Sequence, residues 1–464
     1  MRDDRWDMAD SASSPHRVTD SGDARSVETW GPPLDIGAGT FPQDSDAVRR
    51  ALDGARSATE QARALRHRPG LSLPLYELAT ERCRTAIALC EGAPLLIRRG
   101  MRARLHLALS RALKGQAELL GERGRPDLAL HLAIKAGHSA GTAVSLARQS
   151  GDLFTVLGAM IQQGWCLFRQ GDELQMRLGR VAEAIKRYDD AVEYLRRSAA
   201  LARTSEMSDL AEAMGVPLGA MAIDGLVTAV HIETLAGALE QERLNRPTAA
   251  LRRYDKAAAA GLRAAGASLD AHLVRLQAQA LASAAQALRS AAGLLESSGT
   301  MGATRRSFVA AQLLVKSAEI EVEQGHQHLA AEYLVEAAQA IDRSVAMGAT
   351  RAVGEDVLAR ASDLASQIVA MVTGLAEPLA EVHGLLAAGR VALARGRAAE
   401  ALGDRALESF SSAAAFAARA ASIGYSSPGI HDEVTALRSE AGVALRNAFV
   451  RKGRFPFDLR DVTS

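Results

Sequence analysis

The chain has 464 residues, 48% of them hydrophobic, 23% charged and only 4% aromatic. That composition excludes a collagen-like, a disulfide-stapled or a wholly disordered polymer and leaves a globular chain able to bury a sizeable core. With 55 Lys and Arg against 54 Asp and Glu the formal charge is +1, which removes the simplest electrostatic case for nucleic acid or an anionic membrane.

Residues 1–43 mix Asp, Arg, Ser, Gly and Pro without periodicity, as in Trp30-Gly31-Pro32-Pro33, and read as a disordered leader. No apolar h-region follows Met1, so no secretory signal is expected. From about Ser45 the helical period of 3.6 takes over, and alternating β-branched residues are absent. Leu71-Ser72-Leu73-Pro74 opens one helix, Pro being tolerated near a first turn. Further breaks are expected at Gly121–Gly124, Gly151, Gly179, Gly215–Pro217, Asn245–Pro247, Gly266, Gly299–Gly302, Gly325, Gly348, Glu377–Pro378 and Gly424–Pro428. The helices between them run to roughly 20–28 residues, against a usual mean of about 11–12. Long helices joined by short turns pack antiparallel on their sequence neighbours. Ala fills 93 positions, and such small side chains let helix axes approach closely. The expected fold is all-α, an α-solenoid of antiparallel helical hairpins over residues 44–450. A tail follows at 451–464, where Phe455-Pro456-Phe457 beside a basic cluster would cap the last hairpin or engage a partner.

An internal pattern sharpens this reading. Gly or Asn, a basic residue or His, three variable positions and then Ala recur from Gly124, Gly179, Asn245, Gly325 and Gly396, about every 68 residues on average. Gly or Asn can take the left-handed conformation that ends a helix, and the Ala (Ala129, Ala184, Ala250, Ala330, Ala401) lets the next helix press on its predecessor. Two copies extend further: Ala184, Tyr188 and Ala191 are echoed by Ala250, Tyr254 and Ala257, each set on one helix face. The run from Gly179 to Ala191 resembles the turn and second helix of a tetratricopeptide repeat, and the segments at Gly325 and Asn245 look like weaker copies. The small residue that the family places upstream falls at Ala117, Ala238, Ala318 and Gly389, but at Asp172 in the unit ending at Gly179. The spacing is also twice the family period of about 34. The resemblance implies a degenerate, tetratricopeptide-like solenoid with an extended groove for a protein or peptide. Exposed residues on the first helices, Arg169, Glu173, Gln175, Glu240 and Arg243, are the candidates to line that groove.

Catalytic and cofactor signatures are sparse. Cys83 and Cys90 sit about 10.5 Å apart along a helix, too far for a disulfide, and Cys166 leaves an odd count. The eleven histidines form no zinc spacing: His326 and His328 fall at a turn, and His131 and His138 lack partners. No phosphate-binding Gly-rich loop or nucleophile elbow occurs, so no cofactor is expected. Short Arg strips such as Arg98-Arg99 or Arg305-Arg306 lack interleaved aromatics, which argues against nucleic acid. The most apolar stretch, Val216 to Leu239, carries Asp224, His231 and Glu233, which argues against a membrane span. The sequence reads as a cytoplasmic, non-enzymatic scaffold or regulator binding a protein or peptide. The alternative is an all-α Mg-dependent lyase or transferase using Asp189, Asp190 and Glu193, of which Asp189 and Glu193, four apart, would present oxygens on one helix face.

Overall fold

The computed structural model describes residues 43–90, 95–174, 178–204, 206–207, 209, 218–296, 301–347, 355–373, 378–401, 406–423 and 428–451. Fifteen helices and no strand occur among them. In chain order they are α1 (Gln43–Ala64), α2 (Pro69–Leu89), α3 (Leu95–Glu122), α4 (Pro126–Ser150), α5 (Leu153–Asp172), α6 (Val181–Ala202), α7 (Leu218–Glu242) and α8 (Pro247–Asp270). They continue as α9 (Val274–Glu296), α10 (Met301–Glu323), α11 (Gln327–Ala346), α12 (Glu355–Val372), α13 (Pro378–Ala401), α14 (Leu407–Ser422) and α15 (Pro428–Arg451). Each helix packs on the next one in sequence, and α3, α5, α9, α12, α13 and α15 also touch the helix two before them. This is an all-α solenoid. Its core is a chain of small clusters rather than one ball: one spans α5–α7, another α9–α13 and a third α13–α15.

Left-handed residues end the helices as the turn chemistry requires. Gly124, Gly151, Gly179 and Gly325 have φ between 66° and 80°, and Asn245 has φ 51°. Beyond them the chain folds back onto the helix end: the amides of Arg125, Asp152 and His326 donate to the carbonyls of Leu120, Ala147 and Glu321 at 2.8–3.0 Å. Pro69, Pro126 and Pro247 then open α2, α4 and α8, where a missing N–H leaves no bond unmade.

Four sequence expectations are corrected. Gly266 does not stop a helix; α8 runs to Asp270 and the left-handed residue is His272 (φ 55°), followed by Leu273 N donating to Ser268 O at 2.8 Å. Gly396 is not a turn but lies inside α13, and Ala401 is that helix's exposed last residue rather than a packing contact. The reason is that the ring of Phe410 on α14 fills the space over Gly396, where a Cβ would come within 3 Å of it. Pro74 sits inside α2, which starts five residues earlier at Pro69. Its only lost partner is the carbonyl of Gly70 in the exposed first turn. The last correction concerns the small residue of the repeat. The tyrosine rings of Tyr188 and Tyr254 settle over Gly171 and Gly237, each 17 residues earlier, and not over Asp172 or Ala238. Asp172 instead accepts the Tyr188 hydroxyl at 2.8 Å.

The other residues named for the repeat are placed as follows. Ala129, Ala184, Ala191, Ala250, Ala257 and Ala330 are fully buried, and Tyr188 and Tyr254 are 1% and 2% exposed. The leader up to residue 42, the turns at 215–217, 299–300 and 348, and the tail from 452 lie outside the described residues.

Candidate functional site

Three helices build a charged cleft of about 440 Å³. On α6, Asp189, Val192, Glu193 and Arg196 follow one another at helical spacing and form one wall. On α8, Arg252, Arg253 and Lys256 form the other, and Glu233 of α7 is the floor. The volume is within the range of ligand-binding clefts.

Glu233 organises the cations. It is 1% exposed on a largely apolar helix, so its charge must be met inside the protein. Arg253 Nη1 donates to its Oε2 at 3.1 Å, Arg196 Nη2 lies 3.5 Å from its Oε1, and Lys256 Nζ rests on the same oxygen. Arg253 also grips Asp189 with both terminal nitrogens, at 2.6 and 3.1 Å, and lies 3.8 Å from Glu240. The hydrogen bonds to Asp189, more than any other influence, raise the Arg253 pKa while burial pulls it down. One guanidinium therefore ties α6, α7 and α8 together across 64 residues of sequence.

The carboxylates singled out for a metal are placed separately. Asp189 holds Arg253, Asp190 sits 3.8 Å from Arg187, and Glu193 accepts from Arg197 at 2.7 Å. Among the described residues no three His, Cys, Asp or Glu side chains converge as a metal-holding group. His131 and His138 are exposed on α4, and His326 Nδ1 is 2.7 Å from Glu321 at the start of α11. Cys83, Cys90 and Cys166 are free and buried.

The residues expected along a first-helix groove do not form one surface. Arg169 donates to Asp172 at 3.1 Å and lies 3.8 Å from Glu118. Burial pushes the Glu118 carboxyl up, but Lys114, Arg169 and Arg66 outweigh it and hold it below its ordinary range. Glu173 and Glu240 are buried, at 5% and 6% exposure; Glu173 fills the space beside Gly121, and Glu240 lies 3.7 Å from Arg246 and 3.8 Å from Arg253. Neither is available to a groove. Arg243 is exposed just past α7, and Gln175 lies outside the described residues. Glu240 alone reaches towards the cleft, through Arg253.

Glu233, Arg196, Arg252, Arg253 and Lys256 were not among the candidates. The signal was present: Glu233 is one of three charged or titratable residues breaking an apolar run, and Arg252-Arg253 stands in the echo of the Tyr188 segment. What the sequence lacked was the pairing of Asp189 with an arginine one repeat away.

By length and composition, Gly219–Glu242 of α7 is long and apolar enough to cross a membrane, yet 61% of its most apolar window is buried inside the protein. Packed between α6 and α8 with Glu233 inside an ion network, it has the surroundings of a core helix.

The fold and its tandem turns define the class: this is an all-α helical-repeat protein. It matches no protein-family model and no curated protein sequence. Among solved structures it is similar to a chain described as "Circular tandem repeat protein with novel repeat topology and enhanced subunit contact surfaces", at 16% identity over 88% of this chain and 99% of that one, with a TM-score of 0.36.

Proposed function

We propose that this chain is a non-catalytic scaffold or regulatory protein that binds a protein or peptide partner at the cleft between α6, α7 and α8. The observation that carries the reading is a roomy cleft in which Arg196, Arg253 and Lys256 are held in place by a buried carboxylate before any partner arrives. Pre-positioned side chains lose little freedom on binding, which is where repeat surfaces gain affinity. The three buried free thiols suit a reducing compartment and support a cytoplasmic address.

The test is a photo-crosslinking amino acid at Arg252 in the cleft and, as a control, at exposed Arg305 on α10. A discrete protein adduct from position 252 alone, unchanged by Asp190→Ala, is the expected result. No adduct from either position, or a Mg²⁺-dependent activity abolished by Asp190→Ala, overturns the reading.

A further inference from the structure

Resting on the cleft as the partner site, we infer that its occupant is an acidic segment of the partner protein, with carboxylates seated against Arg252 and Lys256. The α8 wall of the cleft presents cations only. They are unequally engaged. Arg253 is taken up by Asp189 and Glu233, but Lys256 touches Glu233 and still leaves half of its side chain exposed, at 51%. Arg252 is exposed and makes no hydrogen bond or ion pair to a described residue. On the facing wall Asp189 is neutralised by Arg253, and Glu193 is drawn outward to Arg197. Four cations thus face three carboxylates in the lining; from outside it Arg197 meets Glu193 and Glu240 lies 3.8 Å from Arg253, so the cations left open, Arg252 and Lys256, are both on the α8 side.

The chemistry that fits is a short run of Asp or Glu side chains. A carboxylate can accept from two N–H groups of a guanidinium and from an ammonium, which is the arrangement Arg252 and Lys256 offer one helical turn apart. A nucleic-acid strand fits less well. It needs a long basic track and rings on which bases stack, whereas these cations are confined to one cleft beside Asp189 and Glu193, with no aromatic residue in the lining.

The experiment is fluorescence anisotropy on the full chain with three labelled probes: octaglutamate, octaglutamine and an eight-nucleotide oligothymidylate. Octaglutamate should bind about tenfold or more tightly than octaglutamine, and Arg252→Glu with Lys256→Glu should weaken it about tenfold. Arg305→Glu with Arg446→Glu changes the net charge equally at exposed sites on α10 and α15, and should weaken it about twofold or less. Should the reversed cleft pair not fold like the parent by circular dichroism, Arg252→Gln and Lys256→Gln singly should each weaken binding about threefold. Equal losses in the two charge-reversed pairs, no preference for octaglutamate, or oligothymidylate binding through Arg252 and Lys256 would each overturn the inference. If octaglutamate fails while the crosslink from position 252 persists, only the acidic chemistry is wrong. If both fail, the cleft is not the partner site.

Discussion

Replacing Gly171 with Ala should destabilise this protein although Ala is the better helix former. In an open helix the exchange gains up to about 1 kcal/mol. Gly266 is such a position: it is inside α8 with nothing within 4 Å of an added Cβ. At Gly171 the added carbon would run into the Tyr188 ring. That ring has little room to yield, being 1% exposed, hydrogen-bonded through its hydroxyl to Asp172 at 2.8 Å, and packed on Phe168 with centroids 5.7 Å apart. Overpacking costs about 1–3 kcal/mol, and loss of the hydroxyl bond adds about 1 kcal/mol. After the helix-forming gain, Gly171→Ala should lose about 2 kcal/mol and Gly266→Ala should gain about 0.5–1 kcal/mol. Urea unfolding followed by helical circular dichroism reads both as midpoint shifts of opposite sign, provided the slope is unchanged. In a Tyr188→Leu background the Gly171 penalty should shrink, since the two sites act on one contact. Midpoints that move in the same direction for both glycines, or a penalty undiminished by Tyr188→Leu, would refute the ring-over-glycine interlock.

Further outcomes follow from the charges. Burial pushes the Asp224 carboxyl up to about 6 from 3.8. The stability that goes with the protonated form is complete below about pH 4 and is lost as pH rises through 6. Asp224→Asn should therefore gain about 2–3 kcal/mol in urea unfolding at pH 8 and almost nothing at pH 4; an equal gain at both pH values would contradict the assignment. Glu233→Gln leaves Arg196, Arg253 and Lys256 around a neutral group and should cost about 2 kcal/mol. Asp189→Asn, at a carboxylate 49% exposed, should cost about 1 kcal/mol or less in the same assay. Burial lifts the thiols of Cys83 and Cys166 to about 12 and about 11. A colourimetric thiol reagent at pH 8 should thus titrate neither in the folded protein and both in urea; prompt reaction without denaturant would show that these sites are open.

The solenoid was legible because its signals are local. Gly124, Gly179, Asn245 and Gly325 take positive φ because a helix reversing within a few residues needs a left-handed position, and Gly or Asn supplies it wherever it occurs. The Ala faces of α4, α6, α8 and α11 were legible for the same reason, since a helix buries whatever lies along one stripe. Gly266 and Gly396 misled for the opposite reason. An isolated Gly has the same look in a sequence whether it ends a helix or lies beneath a neighbour's ring, and only the ring of Phe410 over Gly396 tells the two apart.

The charged cleft belongs to the second kind of information. Asp189, with Asp190 and Glu193, looked like a set because they are adjacent on one chain segment, yet their partners are Arg253, Arg187 and Arg197. Helix periodicity and turn residues, acting over a few positions, determined that this chain becomes stacked helices. Which carboxylate is buried, which cation meets it and which is left facing solvent was decided only when packing set Asp189, Glu233 and Arg253 side by side, because ion pairing depends on distance in space and on burial, and neither is written at any one position along the chain.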